Sequence, residues 1–357
     1  MESNVSLMIM YDDESVEVCY RNEDRLLLSP CGCEFVLVKA CREPPLAEAR
    51  VRQRTRFTTS THKEMITGAL TFRNTHASRP YLPAELIPAD HKKARPQPFF
   101  SIGSEAKWPE LSSCAGELRC GGETIIRSEE GRAVLTLAPS GEEFSVRYTC
   151  SLSSHDQNHS TQPGAGGPGS SPGAAAGDDT DEEQLGRRKR KPEAAYQCTT
   201  VLQQLSRCCV APRWRYPLSL ARRLHTARLS EPEDAGAEES RRLSQAADGG
   251  RRSPLPQALP LTCPSPHLHR WRFDPLFKNE HQQLPGDLVK VMWCHGTTYR
   301  VLSGGVPVVE VSLGDGSIIR SDGVLSSYFT HHKPQFHSGK VKELTYHVNN
   351  LPPHLPG

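Results

Sequence analysis

The chain contains no apolar run approaching the ~20 residues that a membrane-spanning helix needs, so no membrane partner is expected. It starts Met1-Glu2-Ser3-Asn4, without a basic segment leading to a small-residue cleavage site, so no secretory signal is expected. Its 12 cysteines never fall in C-x-x-C pairs, and no second knuckle stands at zinc-finger spacing. Cys31-Gly32-Cys33 and Cys208-Cys209 therefore read as structural thiols, reduced in the cytosol or nucleus, with no metal site. The formal net charge of +2 gives no global attraction to polyanions. A kinase glycine loop, a His-Arg-Asp loop, an Asp-Phe-Gly triplet and a Gly-x-Ser-x-Gly elbow are all lacking. The glycine tract at 164–173 has no lysine at the phosphate-loop position and precedes no apolar helix. No enzyme and no cofactor are expected from such a chain.

What is present begins with a repeat. Leu28-Ser29-Pro30-Cys31-Gly32-Cys33-Glu34-Phe35 recurs as Leu137-Ala138-Pro139-Ser140-Gly141-Glu142-Glu143-Phe144. At the same offset Glu14-Ser15-Val16 matches Glu123-Thr124-Ile125, and Leu26 matches Leu135. Each copy reads as a strand, a Pro/Gly turn and a second strand, which predicts a duplicated β unit.

The first unit, 1–76, reads as an antiparallel meander. Val16, Val18 and Tyr20 alternate with Glu17, Cys19 and Arg21, the period of a half-buried strand. Short turns follow at Asn22-Glu23-Asp24 and Pro30-Cys31-Gly32, and Arg50–Thr58 reads as a further strand. Thr61-His62-Lys63-Glu64 fits a capping box for a helix that carries Met65, Ile66, Ala69 and Leu70 on one face. The second unit, 84–229, holds the second repeat, with a Gly/Ser/Pro-rich insertion at 155–193 that is expected to be disordered. A strand near Tyr196–Arg207 and a helix over Pro217–Leu229 are expected to close it. A polar linker, 230–252, precedes a third β-rich module, 253–357, which looks unfinished. The predicted fold class is α+β: tandem antiparallel β-sheet modules, each closed by a C-terminal helix, with disordered insertions.

Several segments carry a resemblance: Met8 through Phe35, Arg52-Gln53-Arg54-Thr55, Tyr216-Pro217 with Leu218-Ser219-Leu220-Ala221, Pro266-His267-Leu268-His269-Arg270-Trp271, and Val348-Asn349-Asn350-Leu351-Pro352-Pro353. They resemble the uncharacterised vertebrate family named after open reading frame thirty-four of human chromosome five. Members of that family continue past the end of this chain, so it looks like a C-terminally truncated form. The family brings no established activity. Ser15–Tyr20 followed by Arg25–Pro30 resembles the polo box. That resemblance implies a protein-docking module of the kind found in cell-cycle kinases and centriole proteins. Some polo boxes hold phosphopeptides with a His/Lys pair and a Trp, and that pair has no matching positions here.

Arg50, Arg52, Arg54 and Arg56 alternate along one predicted strand, which puts four guanidinium groups on one face with Val51, Thr55 and Phe57 opposite. Guanidinium forks suit carboxylate and phosphate, so a docking stripe for an acidic or phosphorylated protein segment is expected. The bland alternative is a solvated face paired with nearby Glu residues. Arg187, Arg188, Lys189, Arg190 and Lys191 read as a nuclear import signal behind an acidic run. Ser244 and Ser253 follow arginine pairs and read as possible phosphorylation sites. His267, His269, His331 and His332 read as structural, since two ligands alone do not make a site. The expected function is non-catalytic protein docking, nuclear and cytoplasmic, with a centrosomal setting implied by the polo-box likeness. The alternative is nucleic-acid binding through the arginine strand and the basic insertion.

Overall fold

The structure, a computed structural model, describes residues 4–40, 49–83, 105–114, 116–151, 198–229, 248–259, 288–303, 305–325, 327–335 and 338–350. Most of the described chain is antiparallel β-sheet with two α-helices, an α+β protein.

The first meander runs β1 (Val5–Tyr11), β2 (Val16–Tyr20), β3 (Arg25–Leu28), β4 (Glu34–Lys39) and β5 (Ala49–Arg54), then α1 (Ser60–His76). The second has the same order: β6 (Glu105–Lys107) aside, it runs β7 (Glu117–Leu118), β8 (Thr124–Arg127), β9 (Ala133–Leu137), β10 (Glu143–Ser151) and β11 (Cys198–Ser206), then α2 (Arg215–Leu229). The repeated turn folds alike in both. Leu28 pairs with Phe35, and Leu137 with Phe144. Gly32 and Gly141 both take positive φ, +73° and +70°, and each amide closes the turn onto the residue three before it. A side chain at Gly32 would also meet Tyr81 at 2.9 Å, so glycine is required there twice over.

The offset is not constant, however. Val16 faces Leu28, whereas it is Thr124, not Ile125, that faces Leu137. Val18 with Leu26 and Ile126 with Leu135 keep this one-residue slip. The turn between β8 and β9 is one residue longer, so the alignment of Val16 with Ile125 has the wrong facing. Thr124 and Ile126 are buried as Val16 and Val18 are, and so is Ile125, so pairing and not burial sets this register.

Helix α1 starts at Ser60 with Thr59 at its cap, so Thr61–Glu64 lies inside the first turn and the expected capping box is not formed. Ile66, Ala69, Leu70 and Arg73 recur at helical spacing and are buried. The aliphatic members pack over Leu26, Leu28, Phe35 and Leu37. Removing one such side chain costs about 2–5 kcal/mol. Arg73 tethers the helix end to the repeated turn, donating to the Pro30 carbonyl at 3.0 Å and to Glu14 at 3.2 Å. Burial works to raise the Glu14 carboxyl, but the Ser78 amide, Lys290 and Arg73 hold it below its ordinary value. In the second unit, α2 covers β8 and β9 and buries Leu218, Leu220 and Ala221 beside Trp108, Tyr148 and Trp214.

β12 (Arg252–Pro254) pairs with β6. The remaining strands are β13 (Val289–Cys294), β14 (Thr297–Leu302), β15 (Val308–Ser312), β16 (Ile318–Ser321), β17 (Tyr328–Gln335) and β18 (Lys340–His347). Strands expected in separate modules, 1–76 and 253–357, share one 11-stranded sheet, because β1 pairs with β13 through Ile9 and Met292. Helices follow the first two meanders; among the described residues none follows β18.

Candidate docking surfaces

β5 ends the 11-stranded sheet, and among the described residues no strand pairs with its second edge. Arg50, Arg52 and Arg54 are exposed on it at alternate positions, while Val51 and Gln53 turn inward. Arg52 donates to Glu34 at 2.7 Å, and that bond holds the guanidinium firmly protonated. Arg56 does not join the stripe. The strand ends at Arg54, and Thr55–Phe57 form a 3-10 turn. Thr55 is pulled inward, its hydroxyl donating to the Gly32 carbonyl at 2.7 Å. The turn breaks the two-residue period, so Arg56 lies over the Phe57 ring, 5.7 Å from its centre, and Phe57 is 69% exposed instead of covered.

Pairing carries the stripe's face across the whole sheet. Arg52 opposes Val36, which opposes Leu27, then Glu17, Ile9, Met292, Tyr299, Val311, Ile319, His331 and Leu344. Directly opposed residues share a face. The reverse face holds Leu37, Leu26, Val18 and Met8, and then Trp293, Thr298, Ser312, Ile318, His332 and Glu343. Over β1–β5 the apolar face is the one under α1. Beyond β13 the stripe's face carries Tyr299, Val311, Ile319 and Leu344, while Leu302, Val308 and Ile318 stay on the reverse face.

The polar face of β14–β16 is the buried one. Arg300 is paired with Glu143 and lies 4.0 Å from Glu310. Arg320 and Arg207 reach Glu142 at 3.1 and 2.9 Å. Ser206 donates to Glu310 at 2.9 Å, and Ser312 to Glu143 at 3.2 Å. Burial raises the Glu310 carboxyl against the pull of Arg300, and burial lowers Arg300. His76, half-buried at the end of α1, is pushed down to about 3 by desolvation, with Arg300 and Lys290 adding to it. This cluster locks the repeated turn of the second unit onto the 11-stranded sheet.

Other predicted positions fare differently. Ser253 is 2% exposed on β12; it accepts from the Trp108 indole at 2.9 Å and donates to the Arg213 carbonyl. A kinase cannot reach it in the folded chain, so its reading as an acceptor site is corrected: of the arginine pair before it, Arg251 is itself buried and bound to the exposed Glu110 and Glu129. Arg187, Arg188, Lys189, Arg190, Lys191 and Ser244 lie outside the described residues, as does the insertion 155–193. His331 and His332 are buried, and His332 lies 3.4 Å from Glu343.

Three family models match the chain: "C5orf34-like, N-terminal" over residues 8–74, "C5orf34-like, second domain" over 121–221 and "Polo box domain" over 289–357. Uncharacterized protein C5orf34 of Homo sapiens is 34% identical over 98% of this chain. The homologues of Bos taurus and Mus musculus are each 33% identical over 98% of it. The chain belongs to the C5orf34-like family. It spans 62% of the length of these curated relatives. No solved structure matches it. In the terms of this family, the N-terminal model covers the first meander and most of α1, and the second-domain model covers β8 to the middle of α2. The polo-box match falls on β13–β18, not on the Ser15–Pro30 stretch that suggests the likeness in the sequence.

That apolar side chains stand on both faces beyond β13 escaped the sequence reading. Its signal is there: Tyr299 and Val301, Val309 and Val311, and Leu344 and Tyr346 alternate with polar partners. Alternation shows that a strand has two faces and leaves open which face is buried.

Proposed function

We propose that this chain is a non-catalytic docking protein that receives an acidic or phosphorylated protein segment along the open edge of β5. The reading rests on one observation: Arg50, Arg52 and Arg54 stand exposed at alternate positions of an edge strand. An incoming strand would satisfy the edge amides and carbonyls. Guanidinium groups two residues apart, roughly 6–7 Å along the strand, then meet every second side chain of the guest. Carboxylate or phosphate there gains charge-assisted, bidentate bonds. The polo-box match supports an interaction role, and tandem polo-box-like units, each closed by a helix, are the finer architecture of this proposal. Nuclear and cytoplasmic distribution, with import through Arg187–Lys191 and assembly in a cell-cycle or centrosomal setting, belongs to the same reading.

The test uses labelled extended peptides with Glu or phosphoserine at every second position, and twins carrying Lys instead. Saturable binding of the anionic peptides alone, weakened at least tenfold by Arg52→Glu with Arg54→Glu, is the expected result. Indifference to those peptides, together with DNA or RNA binding that falls steeply with salt, would favour the nucleic-acid alternative instead.

A further inference from the structure

The turn that joins β3 to β4 carries a pair of thiols that its repeat lacks. Cys31 and Cys33 are both buried, and their sulfurs stand 3.0 Å apart. The second copy has Ser140 and Glu142 at these places and folds the same turn, with Gly141 at φ +70° and Leu137 facing Phe144. The turn itself therefore does not call for sulfur. Two thiolates sharing a tetrahedral zinc ion at ~2.3 Å would stand about 3.8 Å apart. These sulfurs already lie inside that spacing, and a disulfide needs a further approach of about 1 Å. Arg73 is buried beside them. Its guanidinium donates to the Pro30 carbonyl at 3.0 Å, and its charge and that of Cys31 act on each other. A cation beside a thiol favours the thiolate, which is the nucleophile. The Ser29 hydroxyl, 3.5 Å from the Cys31 sulfur, accepts from the Glu34 amide and keeps its own proton to donate.

We propose that Cys31 and Cys33 form a redox site whose substrate is a small hydroperoxide, and that its oxidation is passed to the end of β5. The Cys31 thiolate attacks hydrogen peroxide: an S–O bond forms, the O–O bond breaks, and the departing hydroxide takes a proton and leaves as water. Cys33 then attacks the Cys31 sulfur: the S–S bond forms, the S–O bond breaks, and the hydroxyl leaves with the Cys33 proton as a second water. Two electrons pass from the thiols to the peroxide. Each cysteine is only 6% exposed, which shuts out a bulky oxidant such as glutathione disulfide. In a reducing compartment such a bond is transient. The ring so closed runs through Gly32, and its two carbonyls hold Thr55. The Gly32 carbonyl accepts the Thr55 hydroxyl at 2.7 Å, and the Cys33 carbonyl accepts the Thr55 amide at 2.9 Å. Drawing the sulfurs together shifts both carbonyls, so oxidation loosens Thr55 and the 3-10 turn that ends β5. The site stands on these contacts and does not depend on the docking reading of β5.

The test treats the reduced full chain with hydrogen peroxide, alkylates the remaining thiols and maps tryptic peptides by mass. The peptide 26–39 holds Cys31 and Cys33 and no other cysteine. It should appear unalkylated and two hydrogens lighter, and dithiothreitol should restore both thiols. It should oxidise at least tenfold faster than the exposed Cys120, whereas inert buried thiols would lag behind it. Glutathione disulfide, at equal oxidising equivalents, should act at least tenfold more slowly than peroxide. Cys33→Ser should halt the reaction at a Cys31 sulfenic acid, which dimedone traps. Hydrogen exchange over Thr55–Phe57 should quicken at least tenfold in the disulfide form of the unmodified chain, a readout that needs no variant, while the 139–144 turn stays unchanged. A peptide 26–39 still doubly alkylated after Cys120 has reacted, or carrying two separate sulfinic acids, overturns the site. Unchanged exchange over Thr55–Phe57 in the disulfide form overturns the relay to β5.

Discussion

Replacing Arg300 by Met should unlock the second unit from the 11-stranded sheet. Arg300 is 5% exposed and sits between Glu143 and Glu310, the latter fully buried. Removing the guanidinium leaves Glu310 with the Ser206 hydroxyl and the weaker pull of Arg320, opposite it on β16. A buried ion stripped of its partner costs about 3–5 kcal/mol, a large part of the 5–15 kcal/mol that typically holds a domain. Adding Glu310→Leu should recover most of that loss, because neutral, well-packed replacements of buried pairs are often harmless. The pH dependence has a defined sign. Burial raises the folded Glu310 carboxyl above its ordinary 4.5, so its cost is present above the folded value and disappears below 4.5. The Arg300→Met deficit should therefore shrink as pH falls towards 4.5. Urea unfolding of the full chain, followed by tryptophan fluorescence at several pH values, measures each term. A single variant costing under about 1 kcal/mol, or a double variant worse than the single, would refute the reasoning.

His76 has its folded value held at about 3 against an ordinary 6.5, so its contribution is complete above pH 6.5 and is lost as pH falls through that window. The loss should approach 1.4 kcal/mol per pH unit, and His76→Gln should flatten the slope by about one proton in urea titrations from pH 7 to 4. A basophilic kinase incubated with the folded chain should leave Ser253 unmodified by mass spectrometry; modification at neutral pH without denaturant would contradict its burial. Changing Arg187–Lys191 to alanines should lower nuclear accumulation of a tagged chain, and an unchanged distribution by microscopy would remove the import reading.

The strands were legible where local pattern decides them. The β3–β4 and β9–β10 hairpins follow from Leu, Pro, Gly and Phe at fixed places, and Gly32 and Gly141 take the positive φ that such turns need. β17 was only half legible: Tyr328-Phe329-Thr330 has β-forming composition, but His331-His332-Lys333-Pro334 has neither that nor apolar alternation; neighbours on both sides hold it in the sheet. Arg56 looked like a fourth member of the stripe because period two has no signal for where a strand stops. Tertiary contact stops it, through Thr55 and the Gly32 carbonyl. The joining of β1 to β13 was also invisible: the two strands are far apart in sequence, and pairing at that separation leaves no local mark.

The most direct test of the docking account is hydrogen exchange along Ala49–Arg54 with and without an extended peptide carrying alternate glutamates or phosphoserines. The account predicts slowed exchange in β5, because an added strand engages its outer amides, and no slowing with the lysine twin or after Arg52→Glu with Arg54→Glu. Unchanged exchange in β5 at saturating anionic peptide would contradict it.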